Sequence, residues 1–138
     1  MGRIEPIVEK RFEYRGFPCV VLFMAGCYRC GYVGLPKSNR YYKKGYDDIP
    51  VDCHGGLTFD GELPDYYKPK ADYYIGFDCG HYCDGVDYDQ AVKYNLITQS
   101  EADRNKELFS YLDDRPVRDL DYVEANCKKI VDQLEKTK

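Results

Sequence analysis

The chain has 138 residues, a length that fits one domain (1–138) closing a single hydrophobic core. With 43% apolar residues, 32% charged residues and a net charge of −4, it is neither disordered in composition nor basic enough to hold a long nucleic acid. No run approaches the ~20 apolar residues that cross a bilayer.

The N-terminus, MGRIEPIVEKRFEYRGF, mixes both charges and lacks the apolar core of a signal peptide. Pro6 stands where a myristoylation motif wants Ser or Thr, which argues against lipidation. The chain carries seven cysteines, an odd number, and nothing suggests secretion, so reduced thiols in a cytoplasmic protein with no membrane partner are expected. Tyrosine occurs 15 times and tryptophan not at all. Twelve of the tyrosines lie between Tyr28 and Tyr94, as half-buried strand residues or as stacking groups at a binding surface.

In chain order, Arg11 to Tyr14 and Pro18 to Ala25 read as a hairpin about Arg15-Gly16-Phe17-Pro18, and Cys30 to Leu35 as a third strand stopped by Pro36. Val51 to Asp60 alternates: Val51, Cys53, Leu57 and Phe59 share one parity, while Asp52, His54, Thr58 and Asp60 share the other. That pattern predicts a strand with one buried and one polar face. Tyr73 to Cys79 repeats it, with Tyr73, Ile75, Phe77 and Cys79 facing the core and Tyr74, Gly76 and Asp78 facing away. The last third turns helical. A helix beginning near Ser100 is expected to bury Leu108, Phe109 and Leu112. A clearer helix starts at Asp121, with Val123, Cys127, Ile130, Val131 and Leu134 as its apolar stripe. The expectation is an α+β fold: a small, mostly antiparallel sheet with the C-terminal helix on one face. The other face is left for a ligand or for a second copy of the chain in a homo-oligomer.

Both histidines of the chain sit in glycine-rich polar segments: His54 in Asp52-Cys53-His54-Gly55-Gly56-Leu57-Thr58, His81 in Gly76-Phe77-Asp78-Cys79-Gly80-His81. If the two strands are neighbours, His54, Thr58, Tyr74 and Asp78 converge on one polar face, with His81 at the strand end. Glycines there let a ligand or a backbone approach closely; they also fit plain bulges, and Asp78 a plain turn cap. Two loops interleave tyrosines with basic residues, Lys37 to Tyr46 and Tyr66 to Lys70. Arg40, Lys43 and Lys44 are the expected phosphate contacts, with a tyrosine such as Tyr74 stacking a base; the same loops also fit solvated surface. Cys27-Tyr28-Arg29-Cys30 has the spacing of half a zinc site, but Cys79, His81 and Cys83 complete no standard knuckle. His54, His81, Asp78 and Asp84 are the other conceivable metal set. Neither outweighs the expectation of no metal and no cofactor. No nucleophile elbow, Walker or Rossmann glycine pattern occurs.

Three segments resemble, in order, a family of small bacteriophage and prophage proteins: Cys30-Gly31-Tyr32-Val33-Gly34-Leu35-Pro36, Asp52-Cys53-His54-Gly55-Gly56-Leu57-Thr58, and Ile75-Gly76-Phe77-Asp78-Cys79-Gly80-His81. The resemblance spans roughly the middle half of the chain and leaves 86–118 unmatched. Tyr73 and Tyr74 stand where that family carries paired tryptophans, compatible with stacking. The resemblance implies a phage accessory protein in the bacterial cytoplasm, a group that includes sponges for nucleotide immune signals and enzymes that cleave them. The leading expectation is a binding protein for a small anionic nucleotide-like ligand. The alternatives are a phosphodiesterase-type enzyme with His54 and His81 as general base and acid, and an inhibitor that docks on a host protein.

Overall fold

The computed structural model describes residues 6–81, 83–112 and 114–136; the lipidation expectation at the first residues lies outside them. The chain opens with strands β1 (Ile7–Tyr14) and β2 (Phe17–Phe23), paired antiparallel. Arg15 and Gly16 join them, both with positive φ (51° and 85°), the geometry of a tight two-residue hairpin whose twist matches the strands. β2 pairs with β3 (Arg29–Gly34), and β3 with β5 (Tyr74–Asp78), which takes the short edge strand β4 (Phe59–Gly61) on its other side. The result is a five-stranded antiparallel sheet in the order β1-β2-β3-β5-β4. The interior strand β2, Phe-Pro-Cys-Val-Val-Leu-Phe, has core on both faces, so an unbroken apolar run replaces alternation.

One face carries Phe17, Cys19, Val21, Val33, Ile75 and Phe77, and helix α3 (Leu120–Lys136) packs on it with Val123, Cys127, Ile130, Val131 and Leu134, all buried. This is the expected stripe and the expected α+β layering. Gly31 makes the close approach possible: a Cβ there would meet the Phe77 ring at 2.7 Å and Cys127 Sγ at 2.9 Å. The helix starts earlier than the capping pattern suggested, with Asp119 Oδ1 accepting from Tyr122 N–H at 2.9 Å.

The second face is not open. Leu63 and Tyr67, from the chain between β4 and β5, bury themselves against Val20, Leu22 and Tyr74. The ring of Tyr32 lies against Gly76, where a Cβ would meet it at 2.5 Å. A third cluster, Phe23, Cys27 and Ala91 with Tyr94 and Leu96 around them, seats helix α1 (Tyr88–Lys93) beside the hairpin. Arg29, buried, ties this corner together. Its guanidinium donates to both Glu9 oxygens (2.6 and 3.2 Å), to Asp87 Oδ2 (2.7 Å) and to the Arg118 carbonyl (3.2 Å).

Two further expectations are corrected. Val51 to Thr58 is not a strand; only Phe59–Gly61 joins the sheet. Helix α2 (Gln99–Leu108) is capped by Thr98 and Glu101 rather than starting at Ser100, and it buries Ala102 alone. Leu108 and Phe109 are exposed and Leu112 is only half-buried, because no layer of the sheet reaches that far. All seven cysteines are free thiols.

These placements predict opposite outcomes for two apolar truncations. Ile130→Ala should cost about 2–4 kcal/mol by leaving a core cavity, whereas Leu108→Ala should stay within about 0.5 kcal/mol. Urea unfolding of both variants reads the difference; equal costs would contradict the exposed end of α2.

Candidate functional site

The segment between residues 51 and 58 keeps its alternation without being a strand, because α3 supplies the partners a neighbouring strand would have given. Val51, Cys53 and Leu57 pack on the core. The intervening residues meet a polar row on the helix: Asp52 N–H donates to Gln133 Oε1 and Gln133 Nε2 donates back to the Asp52 carbonyl, both at 2.7 Å, while His54 N–H donates to Asn126 Oδ1 at 2.9 Å. Gly56 N–H then closes a turn on the Cys53 carbonyl (3.0 Å), and positive φ at Gly55 and Gly56 (69° and 79°) lets the chain reverse. His54 is thereby held at the start of α3.

Its imidazole is fully engaged. Nδ1 lies 2.8 Å from the Tyr122 hydroxyl and Nε2 lies 2.8 Å from Asp84 Oδ1, and the ring stands edge-on to Tyr122 with centroids 5.4 Å apart. Asp84 organises the rest. It closes the turn after β5, its N–H donating to the His81 carbonyl. Its Oδ2 accepts from His81 N–H and lies near His81 Nδ1, both at 3.1 Å, and its Oδ1 accepts from Arg118 Nε at 3.0 Å. Arg118 in turn lies 4.8 Å over the Tyr122 ring. Burial pushes the Asp84 carboxyl up, but the hydrogen bonds of His54, Arg118 and His81 outweigh it and hold it at about 2.

His81 is the accessible member, its side chain 33% exposed against 9% for His54 and 1% for Asp84. Its Nε2 lies 3.6 Å from Asp78 Oδ1, and Asp78 accepts from Gly80 N–H (3.0 Å) and from the Thr58 hydroxyl (3.2 Å). The two imidazoles are 5.6 Å apart, centre to centre. A Cβ on Gly55 would come within 2.4 Å of the His81 ring, so the two loops meet edge to edge at that glycine.

Of the residues singled out in the sequence, the structure brings His54, Thr58, Asp78 and His81 together. Tyr74 is not with them: it is fully buried in the cluster on the face away from α3, its hydroxyl accepting from Lys70 N–H at 2.9 Å. Arg40, Lys43 and Lys44 are elsewhere too. Their loop packs at the Tyr73 end of β5, where Gly45 N–H donates to the Tyr73 hydroxyl, ~17 Å of extended chain from Asp78. Arg40 lines a separate cleft there with Arg15 and Asn39. The residues not anticipated are Arg118, Tyr122 and Asn126, together with the central role of Asp84. A signal for two of them was present: Tyr122, Asn126 and Gln133 fall at helical spacing along one side of α3, beside its apolar stripe.

Beside His81 opens a cleft of about 340 Å³ between the turn before β3 and the turn after β5. Tyr28, His81, Asp84 and Arg115 line it, over a floor that includes Gly26 and Gly80. The Tyr28 ring lies against both glycines, where a Cβ would meet it at 2.8 and 3.1 Å. Among the described residues the one group of three potential metal donors is His54, His81 and Asp84, and it contains no cysteine. Cys27, Cys30 and Cys79 are instead buried thiols, and burial pushes Cys30 and Cys79 up to about 12. No described helix is long and apolar enough to cross a membrane. No family model, curated protein or solved structure matches the chain.

The depressed Asp84 carboxyl makes stability depend on pH in a defined direction. Unfolded, the group titrates near 3.8; folded, near 2. Its contribution, of order 2 kcal/mol, is therefore complete above pH ~4 and is lost as pH falls toward 2. Melting temperature should drop over that window. In Asp84→Asn it should be lower at pH 7 and flatter in acid; equal acid sensitivity of the two proteins would show that Asp84 is not the linked group.

Proposed function

We propose that the protein binds a small phosphate-bearing, nucleotide-like molecule in the cleft beside His81 and holds it intact, as a phage-encoded sponge in the cytoplasm of the host bacterium. The cleft itself carries this reading. An aromatic face (Tyr28), a guanidinium (Arg115) and an accessible imidazole (His81) surround about 340 Å³ over glycines that let a ligand near the backbone. Tyr28 replaces Tyr74 as the stacking group, and Arg115 and His81 replace Arg40, Lys43 and Lys44 as the groups that meet phosphate.

The state of His54 favours holding over cleavage. A two-histidine phosphodiesterase needs both imidazoles on one phosphate, as base and acid. Both ring nitrogens of His54 are occupied, by Tyr122 and Asp84, and its side chain is nearly out of solvent. It positions Asp84 and the His81 loop and does not itself line the cleft. The interaction-module reading has a different support, the exposed apolar group Leu108, Phe109, Tyr111 and Val117.

Binding to a panel of mono-, di- and cyclic dinucleotides, followed by heat denaturation and mass analysis of the released molecule, tests the proposal. Intact ligand should be recovered. Tyr28→Ala should weaken binding about 5- to 100-fold, the range of one lost base–aromatic stack, and His81→Ala should weaken it too, whereas Arg40→Ala should not. A chemically altered ligand would make the protein an enzyme, and no binding across the panel would remove the nucleotide reading.

A further inference from the structure

We propose that His54, His81 and Asp84 form a binding site for one divalent transition-metal ion of the zinc type. The site draws on the same cluster but not on the nucleotide reading, since ion uptake requires no other ligand.

Three donor atoms from two separate segments converge. The nitrogens that face Asp84 are His54 Nε2, 2.8 Å from one carboxylate oxygen, and His81 Nδ1, 3.1 Å from the other. Across the group, every donor atom lies within 4.8 Å of every other. Ligand bonds of about 2.0–2.2 Å in a tetrahedron set donor atoms roughly 3.3 Å apart, so an ion fits among these atoms with small side-chain adjustments. Two imidazoles and one carboxylate suit zinc and its neighbours rather than magnesium or calcium, which prefer oxygen alone. With three protein donors, a fourth position is left for water or for a ligand atom, and His81 and Asp84 both border the cleft.

The surroundings are those of a metal site as well. A ligating histidine normally donates its other ring N–H to an oxygen, which fixes its tautomer. His54 Nδ1 has the Tyr122 hydroxyl at 2.8 Å, and His81 Nε2 has Asp78 Oδ1 at 3.6 Å. The Tyr122 hydroxyl is a suitable partner in either state of the cluster because it can donate or accept. Without an ion, His54 Nε2–H faces the carboxylate and Nδ1 accepts from the tyrosine. With an ion, Nε2 gives its lone pair to the metal and Nδ1–H donates to the tyrosine oxygen. Arg118, on Asp84 Oδ1 at 3.0 Å, fixes the carboxylate from outside.

The test uses the full chain stripped with a chelator, then titrated with Zn²⁺ by calorimetry and with Co²⁺ by visible absorption. One equivalent of Zn²⁺ should bind with Kd below about 1 μM. Co²⁺ should give d–d bands without the thiolate charge-transfer band that cysteine ligation produces. His81→Ala removes an accessible side chain, so it should keep the fold by circular dichroism yet lose at least about 100-fold in affinity. Tyr122→Phe should lose about 10- to 100-fold, the cost of an outer partner. Absence of stoichiometric uptake would overturn the site, as would uptake that His81→Ala leaves unchanged or that shows thiolate bands.

Discussion

A single buried negative charge organises one end of this molecule. Asp84 is 3% exposed, and an unpaired carboxylate at that depth costs several kcal/mol. Its donors come from three stretches of chain far apart in sequence: His54 from the loop ahead of β4, His81 from the turn after β5, and Arg118 from just before α3. Pairing that charge therefore fixes three loops at once. The edge-to-edge meeting at Gly55, the engagement of both His54 nitrogens and the outward presentation of His81 all follow from it.

Helix α3 is what allows those loops to arrive. Its apolar stripe covers the sheet, and Gly31 permits the contact to be close. Beside that stripe, Tyr122, Asn126 and Gln133 hold the 52–54 backbone and the His54 ring. Side-chain amides thus do for the loop what a ladder of strand hydrogen bonds does elsewhere in the sheet. The other face of the sheet is closed by Leu63 and Tyr67, so chemistry is left to the ends of the strands rather than to a face.

Much of the fold was legible in the sequence, and for physical reasons. The Arg15-Gly16 turn, the unbroken apolar run of β2 and the 3.6-residue stripe of α3 are local signals that tertiary packing reinforces. The alternation in Val51 to Asp60 was equally clear but under-determined, since a period of two requires only that alternate residues find core and polar partners, and helix side chains met the second need. The polar parity of Tyr74 misled for a related reason: two apolar residues from an intervening loop were enough to bury it. His54 and His81 do come together, yet at loops beyond the strand ends, not through a shared sheet face. Arg118 and Asp84 carried no periodic signal, and their importance lies in contacts between distant segments, which no local pattern encodes.

Arg118 also belongs to a second network. While its guanidinium serves Asp84, its carbonyl accepts from Arg29, whose other partners are Glu9 on β1 and Asp87 ahead of α1. One residue is thus common to two charge clusters that share no other member. Ordering either cluster restricts the Arg118 backbone and so lowers the entropy still to be lost by the other. Substitutions on β1 and in the His81 turn are consequently not energetically independent, and their effects on stability will not simply add. The N-terminal strand, remote from the cleft in sequence and in the sheet, is in this sense part of its foundation.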